Sequence, residues 1–256
     1  MKFITCKQGT PDWLAARAGA ITASVFADAV SLVGALDEKQ QLYVSAIFSG
    51  ATPKDAAIAA GYKAPPSAAS VARVLAGGVA GVQSDVSKRY AYDIAIERIS
   101  KKPYGEPPKA WILDRGHILE AQARIIYESR TGLIAEESGI VKTDDDWFGY
   151  STDGFVDDDG LIEIKCPIDS QKIMAMLKTG DISEYEHQIQ GGMWITGRKW
   201  CDFIMYVPDL ECIGGDLFCK RIGRDEKFIE ELESGLIRFR DSVIEAEAFF
   251  RGLQAA

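Results

Sequence analysis

The chain has 256 residues, 47% hydrophobic and 26% charged, which suits one large globular domain or one domain carrying an insertion. Its net charge of −9 excludes a uniformly basic nucleic-acid surface, its five Cys lack a Cys-x-x-Cys pair and read as reduced cytoplasmic thiols, and its two His make zinc a poor expectation. No apolar run approaches the roughly 20 residues of a membrane span, and Met1–Cys6 is not followed by a signal-peptide core, so no membrane partner is expected.

In chain order the pattern is α+β. Residues 10–18 read as a short helix with Thr10 as N-cap and Pro11 at its first position. Ile21-Thr22-Ala23-Ser24 opens a second helix. Residues 36–85 differ from their flanks, being Ala-rich and helical in spacing, so 1–35 with 86–256 is expected to form the main domain. A helix follows at 86–99, a Pro- and Gly-containing loop at 101–108, and a long helix at 112–130 ending at Gly132. Strands are expected near 139–143, 148–157 and 161–166, and a helix at about 184–196. Strands at 200–207 and 212–219 precede an amphipathic helix from about 225 to 253. The candidate basic groups for contact with a nucleic acid are Lys88-Arg89, Lys101-Lys102 with Lys109, Arg198-Lys199, and Lys220-Arg221 with Arg224.

The hairpin at 148–166 carries the chemistry. Asp153 is followed ten residues later by Glu163-Ile164-Lys165. Successive strand side chains alternate faces, so Glu163 and Lys165 share one face while Ile162 and Ile164 share the buried one. A three-residue loop Asp158-Asp159-Gly160, with Gly left-handed, pairs Asp157 with Leu161 and Asp153 with Lys165, which brings the three polar residues to one face. A loop of different parity sends Asp153 to the other side unless a bulge intervenes. Two carboxylates and a backbone carbonyl suit Mg²⁺, a hard ion that activates water and offsets charge at a phosphodiester. A neighbouring Lys positions that water or binds the phosphate. The bland alternative is a solvated hairpin with an incidental cross-strand ion pair.

Two helices can feed the hairpin. In Arg115–Arg124, Ile118, Leu119, Ile125 and Ile126 make an apolar face with Glu120 at its edge, where pairing with Arg124 is the structural alternative. In Tyr185–Trp194, Gln188 shares a face with Gly191 and Gly192. Each mid-helix Gly costs about 1 kcal/mol relative to Ala, so a close approach is expected there. Near the N-terminus, Arg17 presents a planar fork for a phosphate or for a salt bridge. Thr22 and Ser24 can cap the next helix, whose amides favour anions. Ser151 stands beside Asp153.

Four blocks together resemble the lambda-exonuclease-like (YqaJ) branch of the PD-(D/E)XK nucleases, familiar from phage recombination. They are Trp13-x-x-x-Arg17-x-Gly19-x-Ile21-Thr22-Ala23-Ser24, Gly116-x-x-x-Glu120, Ser151-Thr152-Asp153-Gly154 with Glu163-Ile164-Lys165, and His187-Gln188-Ile189-Gln190-x-x-Met193-Trp194. The resemblance implies a restriction-endonuclease-like α/β/α fold, a central mixed sheet flanked by helices. It implies that Asp153 is shared by two Mg²⁺ ions (Mn²⁺ as substitute), that Glu163 and the Ile164 carbonyl complete the first site, and that Glu120 supports the second. Lys165 would act on the attacking water or the phosphate, and Gln188 would orient nearby groups, with Gln190 as the alternative. Arg17, Thr22, Ser24 and Ser151 would bind a 5′-phosphate. Thr152 stands where the family opens its strand with Pro. The implied activity is removal of the 5′ strand from double-stranded DNA ends. A homotrimer threaded by DNA and a single-strand annealing protein are the implied assembly and partner, in a bacterial cytoplasm under phage or prophage control.

Residues 36–85 resemble the helix-turn-helix of phage terminase small subunits, with Ala56-Ala57-x-x-Ala60-Gly61-Tyr62 as the corner. That raises a competing expectation: a non-catalytic packaging or DNA-recognition protein. Its would-be recognition helix carries only Arg73 internally, which weakens DNA binding there.

Overall fold

In the computed structural model residues 1–34, 36–77, 81–105 and 110–253 are described, the side chains of 73–77 and 110–114 excepted. Lys109, residues 106–108 of the expected loop and the side chain of Arg73 lie outside the described residues. The elements run β1 (Lys2–Ile4), α1 (Pro11–Arg17), β2 (Ile21–Thr22), α2 (Phe26–Ala29), β3 (Leu32–Val33), α3 (Glu38–Phe48), α4 (Pro53–Ala59), α5 (Ala68–Gly77), β4 (Val82–Gln83) and α6 (Asp85–Ser100). They continue as α7 (Ala110–Thr131), β5 (Ala135–Glu136), β6 (Ile140–Lys142), β7 (Phe148–Tyr150), β8 (Gly154–Val156), β9 (Gly160–Lys165), α8 (Ser170–Thr179), α9 (Glu186–Thr196), β10 (Trp200–Tyr206), β11 (Leu217–Gly223) and α10 (Glu226–Gly252).

The chain divides into two compact units, 1–29 with 90–256, and 30–89. The second unit is a few residues wider at each end than the 36–85 segment. Its helices begin on local signals. Asp37 and Gln40 close a capping box on α3, and the Thr52 hydroxyl accepts from the Asp55 amide at the start of α4. Tyr43, Ala56, Ala57 and Ala60 form a small core against Tyr62 and Val71.

The first unit holds two sheets. A four-stranded one is ordered β1-β6-β7-β2, and a five-stranded one β11-β10-β9-β8-β5. β9 runs parallel to β10 and antiparallel to β8, which makes the larger sheet mixed. Ile162 and Ile164 of β9 pack with Ala123 and Tyr127 of α7 and with Ile204 of β10. Full burial of an Ile stabilises by about 1.5–3 kcal/mol. On the opposite face Tyr185, ahead of α9, stacks on Phe203 of β10 with ring centroids 5.0 Å apart. The fold is α+β, with helices on both faces of the sheet.

Several expected elements differ. The strand expected over 148–157 is two strands in two sheets, β7 and β8. The break falls at Thr152, whose buried hydroxyl lies 3.0 Å from the Gly154 carbonyl and 3.1 Å from the Ile162 carbonyl. These bonds turn the chain where the family places Pro. At Gly154 a Cβ would meet Ala135 at 2.9 Å, so only Gly permits β8 to lie against β5. The hairpin register is shifted by two residues. Gly154 faces Ile162 and Val156 faces Gly160, which places Asp153 opposite Glu163 rather than Lys165. The loop is Asp157-Asp158-Asp159, and Asp157, not Gly160, takes the left-handed backbone at φ 46°. Gly160 serves contact instead: a Cβ there would collide with the Trp200 indole. A shift of two keeps side-chain parity, so the three polar residues still share a face.

Ile21-Thr22 is a strand, not a helix start, and a 3-10 turn at Ala23–Val25 follows it. Thr22 makes no side-chain capping bond. The strand expected at 212–219 begins at Leu217, after a 3-10 turn at Pro208–Ile213. On α7 the inward face is Leu119, Ala123, Ile126 and Tyr127, while Ile118 and Ile125 are exposed.

Candidate active site

Ten of the residues singled out from the sequence line one cavity of about 180 Å³: Arg17, Thr22, Ser24, Glu120, Ser151, Asp153, Glu163, Ile164, Lys165 and Gln188. Its floor is the end of the β8–β9 hairpin. Glu163 is 2% exposed, so the solvated-hairpin alternative does not hold. Three donors hold its carboxylate. Lys165 Nζ and Gln188 Nε2 reach Oε1 at 2.7 Å and 2.5 Å, and the Tyr150 hydroxyl reaches Oε2 at 2.9 Å. Gln190 points elsewhere, donating to the Gly223 carbonyl and accepting from the Asp225 amide, so Gln188 is the glutamine that faces the site.

Asp153 Oδ2 accepts from the Ile164 amide at 2.6 Å. β8 begins at Gly154, paired with Ile162, so this carboxylate takes up a backbone donor of β9 that lies beyond the last ladder partner. The N–H and C=O of one strand residue point toward the same neighbour in an antiparallel pair. The Ile164 carbonyl therefore also faces the Asp153 end of the cavity. Glu120 comes in from α7. Arg124 does not claim it, being paired instead with Glu137.

The three acids shape one another. Burial, then the charges of Glu163 and Glu120, push the Asp153 carboxyl well above its ordinary range. Burial pushes Glu120 up as well, with the Glu163 charge adding to it and His117 and Lys165 opposing. Burial alone would lower Lys165, but Glu163 and Asp153 outweigh it and hold the ammonium above its usual range. Among the described residues no three Asp, Glu, His or Cys side chains are drawn together as a ready ligand shell. The donor chemistry nevertheless fits a hard divalent ion: two crowded carboxyls, a third on the strand opposite and a backbone carbonyl, all oxygen. A cation there would offset the repulsion that lifts Asp153 and Glu120.

The other end of the cavity is built around Arg17. Its guanidinium lies 4.3 Å from the Trp13 ring centroid and donates to Thr22 Oγ1 at 3.0 Å and to Ser24 Oγ at 3.5 Å. The salt-bridge alternative for Arg17 gives way to these hydroxyls. Trp13 Nε1 donates to Ser151 Oγ at 2.9 Å. Guanidinium and indole N–H groups only donate. Thr22, Ser24 and Ser151 thus spend acceptor capacity on the protein, and the Thr22 and Ser24 hydroxyls also lie 3.5 Å from each other. The Thr22 amide is anchored on the Tyr90 hydroxyl at 3.2 Å.

Five further residues line the cavity: Gln8, Trp13, Ala23, His117 and Tyr150. Gln8 Nε2 donates to the Thr152 carbonyl at 2.7 Å and braces the turn before Asp153. Trp13 lay within the N-terminal block, but its spacing to Ser151 is a tertiary fact. Of the local basic groups, Arg221 is bidentate on Asp202, Lys199 pairs with Asp159, and Arg224 binds Glu226 and the Met193 carbonyl, so these serve the fold.

Residues 12–199 match the model of the YqaJ-like viral recombinase domain. No curated protein matches the chain in sequence. Among solved structures, an alkaline exonuclease (LHK-Exo) from Laribacter hongkongensis is 27% identical, with a TM-score of 0.68 over 96% of this chain and 98% of that one. The same exonuclease in complex with dAMP gives 0.69 at 27% identity, again over 96% of this chain and 98% of that one. A phage-related exonuclease from Haemophilus somnus 129PT shares the fold at 15% identity and a TM-score of 0.56, over 90% of this chain and 96% of that one. Among the described residues no helix is long and apolar enough to cross a membrane.

Proposed function

The chain belongs to the YqaJ-like viral recombinase family, and on that premise we propose that it is a Mg²⁺-dependent exonuclease that degrades the 5′ strand of double-stranded DNA from its ends. The observation that carries the reading is the two-ended cavity, with donors around Arg17 at one end and Asp153, Glu163, Glu120 and Lys165 at the other. Kinship with proteins described as exonucleases supports the reaction class.

In this reading Asp153, Glu163 and the Ile164 carbonyl hold one ion, and Glu120 with Asp153 a second. Bound Mg²⁺, or Mn²⁺ in its place, supplies a Lewis acid for water and for the scissile phosphate. The chain does the rest. Arg17, Thr22, Ser24 and Ser151 hold the terminal 5′-phosphate and so fix which phosphodiester lies over the acids. Lys165, released from Glu163, donates its ammonium hydrogens to the phosphate or orients the attacking water. Gln188 keeps Glu163 oriented. Removal of the 5′ strand leaves a 3′ single strand, the substrate of an annealing protein. A homotrimer around the DNA and a place in phage recombination in the bacterial cytoplasm complete the proposal.

The test is a linear duplex labelled at the 5′ end of one strand and the 3′ end of the other, incubated with Mg²⁺. The expected result is early loss of the 5′ label with retention of the 3′ label, abolished by chelation. Equal loss of both labels, or digestion that survives chelation, contradicts it.

A further inference from the structure

Tyr150 is the one cavity residue that joins the two sheets at the acidic end. It closes β7 in the smaller sheet, yet its hydroxyl donates to Glu163 on the central strand of the larger. Its side chain is 1% exposed. The ring sits against α9 at Gly192, where an added Cβ would lie 2.6 Å from the phenol carbon Cζ. That explains one of the two mid-helix glycines: Gly192 makes the notch that admits the ring. Gly191 does the same for Phe26.

The three donors on Glu163 are not equivalent. Lys165 and Gln188 share Oε1, and the Lys165 side chain is 28% exposed toward the cavity. Tyr150 alone takes Oε2, from a ring that packing locks in place. With Lys165 turned to a phosphate, Gln188 would still reach Oε1 from the cavity side and Tyr150 would still pin Oε2 from the packed side. We propose that Tyr150 is a positioning residue that sets the orientation of Glu163 for a divalent cation, with Gly192 as the feature that lets it reach. This rests on the metal-dependent reading of the site, and it concerns a residue that never touches the substrate.

The experiment is titration of Mn²⁺ into the full-length protein by calorimetry at fixed pH, for the natural chain, Tyr150→Phe and Gly192→Ala. Thermal melts of the same samples report folding. Tyr150→Phe keeps the ring and loses only the hydroxyl. Loss of an outer hydrogen bond to a metal-binding group typically weakens affinity 10- to 100-fold, and that loss is expected here. Raising Mn²⁺ should restore turnover of Tyr150→Phe, which a purely structural defect would not allow. Gly192→Ala, which pushes the ring off its seat, should weaken Mn²⁺ in the same direction. If the natural chain binds Mn²⁺ and both variants bind it within twofold of that affinity, this inference fails and the metal reading stands. If the natural chain binds no Mn²⁺, both fall together.

Discussion

The two ends of the cavity solve opposite electrostatic problems with opposite materials. At the acidic end Asp153, Glu163 and Glu120 crowd like charges on rigid elements, a sheet and a long helix, and Lys165, Gln188 and Tyr150 restrain Glu163. At the other end a single cation, Arg17, is flanked by neutral hydroxyls on short elements, α1, β2 and the turn after it. The acidic end stores repulsion that a cation relieves. The Arg17 end gathers a guanidinium and hydroxyls that can turn their hydrogens to an anion. On the proposed reading, a DNA strand with a terminal phosphate would meet both needs at once, and this would set its direction through the site.

The sharpest way to break that comparison is to remove one acid and one base from the same end. Asp153→Ala should lower turnover on linear duplex about 1,000-fold, the scale of losing a principal electrostatic group. It should fold at least as well as the natural chain, because it deletes a carboxyl that burial and its neighbours disfavour. Lys165→Ala should lose about 100- to 10,000-fold and also stability, since stripping one partner from a buried pair costs about 3–5 kcal/mol. Parallel assays and melts separate the two. Equal melting losses in both variants would overturn the account of the acidic end.

Arg17→Ala tests the other end. Charge-assisted hydrogen bonds contribute about 1.5–3 kcal/mol, so the rate on 5′-phosphorylated ends should fall roughly 10- to 100-fold. The rate on 5′-hydroxyl ends should barely change. Trp13→Phe keeps an aromatic face beside Arg17 while removing the pyrrole part of the indole with the N–H that donates to Ser151. The preference for phosphorylated ends should drop roughly two- to tenfold, matching one neutral hydrogen bond of about 0.5–1.5 kcal/mol. An unchanged preference would take Ser151 out of the anion site.

The smallest effect is in stability against pH. The folded metal-free chain holds a proton on Asp153 at pH values where the unfolded chain has released it. Stability should therefore fall as pH rises from the ordinary carboxylate range up through the raised value. Asp153→Asn should remove that slope and melt a few degrees higher than the natural chain at alkaline pH, with little difference in acid. Saturating Mn²⁺ should bring the natural chain up again.

Much of this site was legible because its chemistry sits at fixed short spacings. Arg17 with Thr22 and Ser24, Asp153 with Glu163 and Lys165, and Gln188 on a glycine-backed helix all meet in one cavity. The hairpin shows why side-chain faces outlast exact pairing. The loop lies a residue earlier than Gly160 suggests, so each partner moves by two, and two is the strand period. What was not legible is tertiary. Residues 148–157 read as one strand because nothing local marks a change of sheet, yet Thr152 turns the chain between two. Strands of two residues, such as Ile21–Thr22 and Ala135–Glu136, are too short to show a period. Tyr150 looked like an ordinary aromatic in a strand. Its partner is thirteen residues away on another sheet, and the glycine that admits it lies on a third element.

The most direct test is a crystal of the natural chain soaked in Mn²⁺ and measured at the manganese edge. Anomalous peaks bounded by Asp153, Glu163 and the Ile164 carbonyl, with Glu120 on a second peak, are predicted. Manganese bound elsewhere, or none at this cavity in protein that digests DNA with Mn²⁺, would contradict the account.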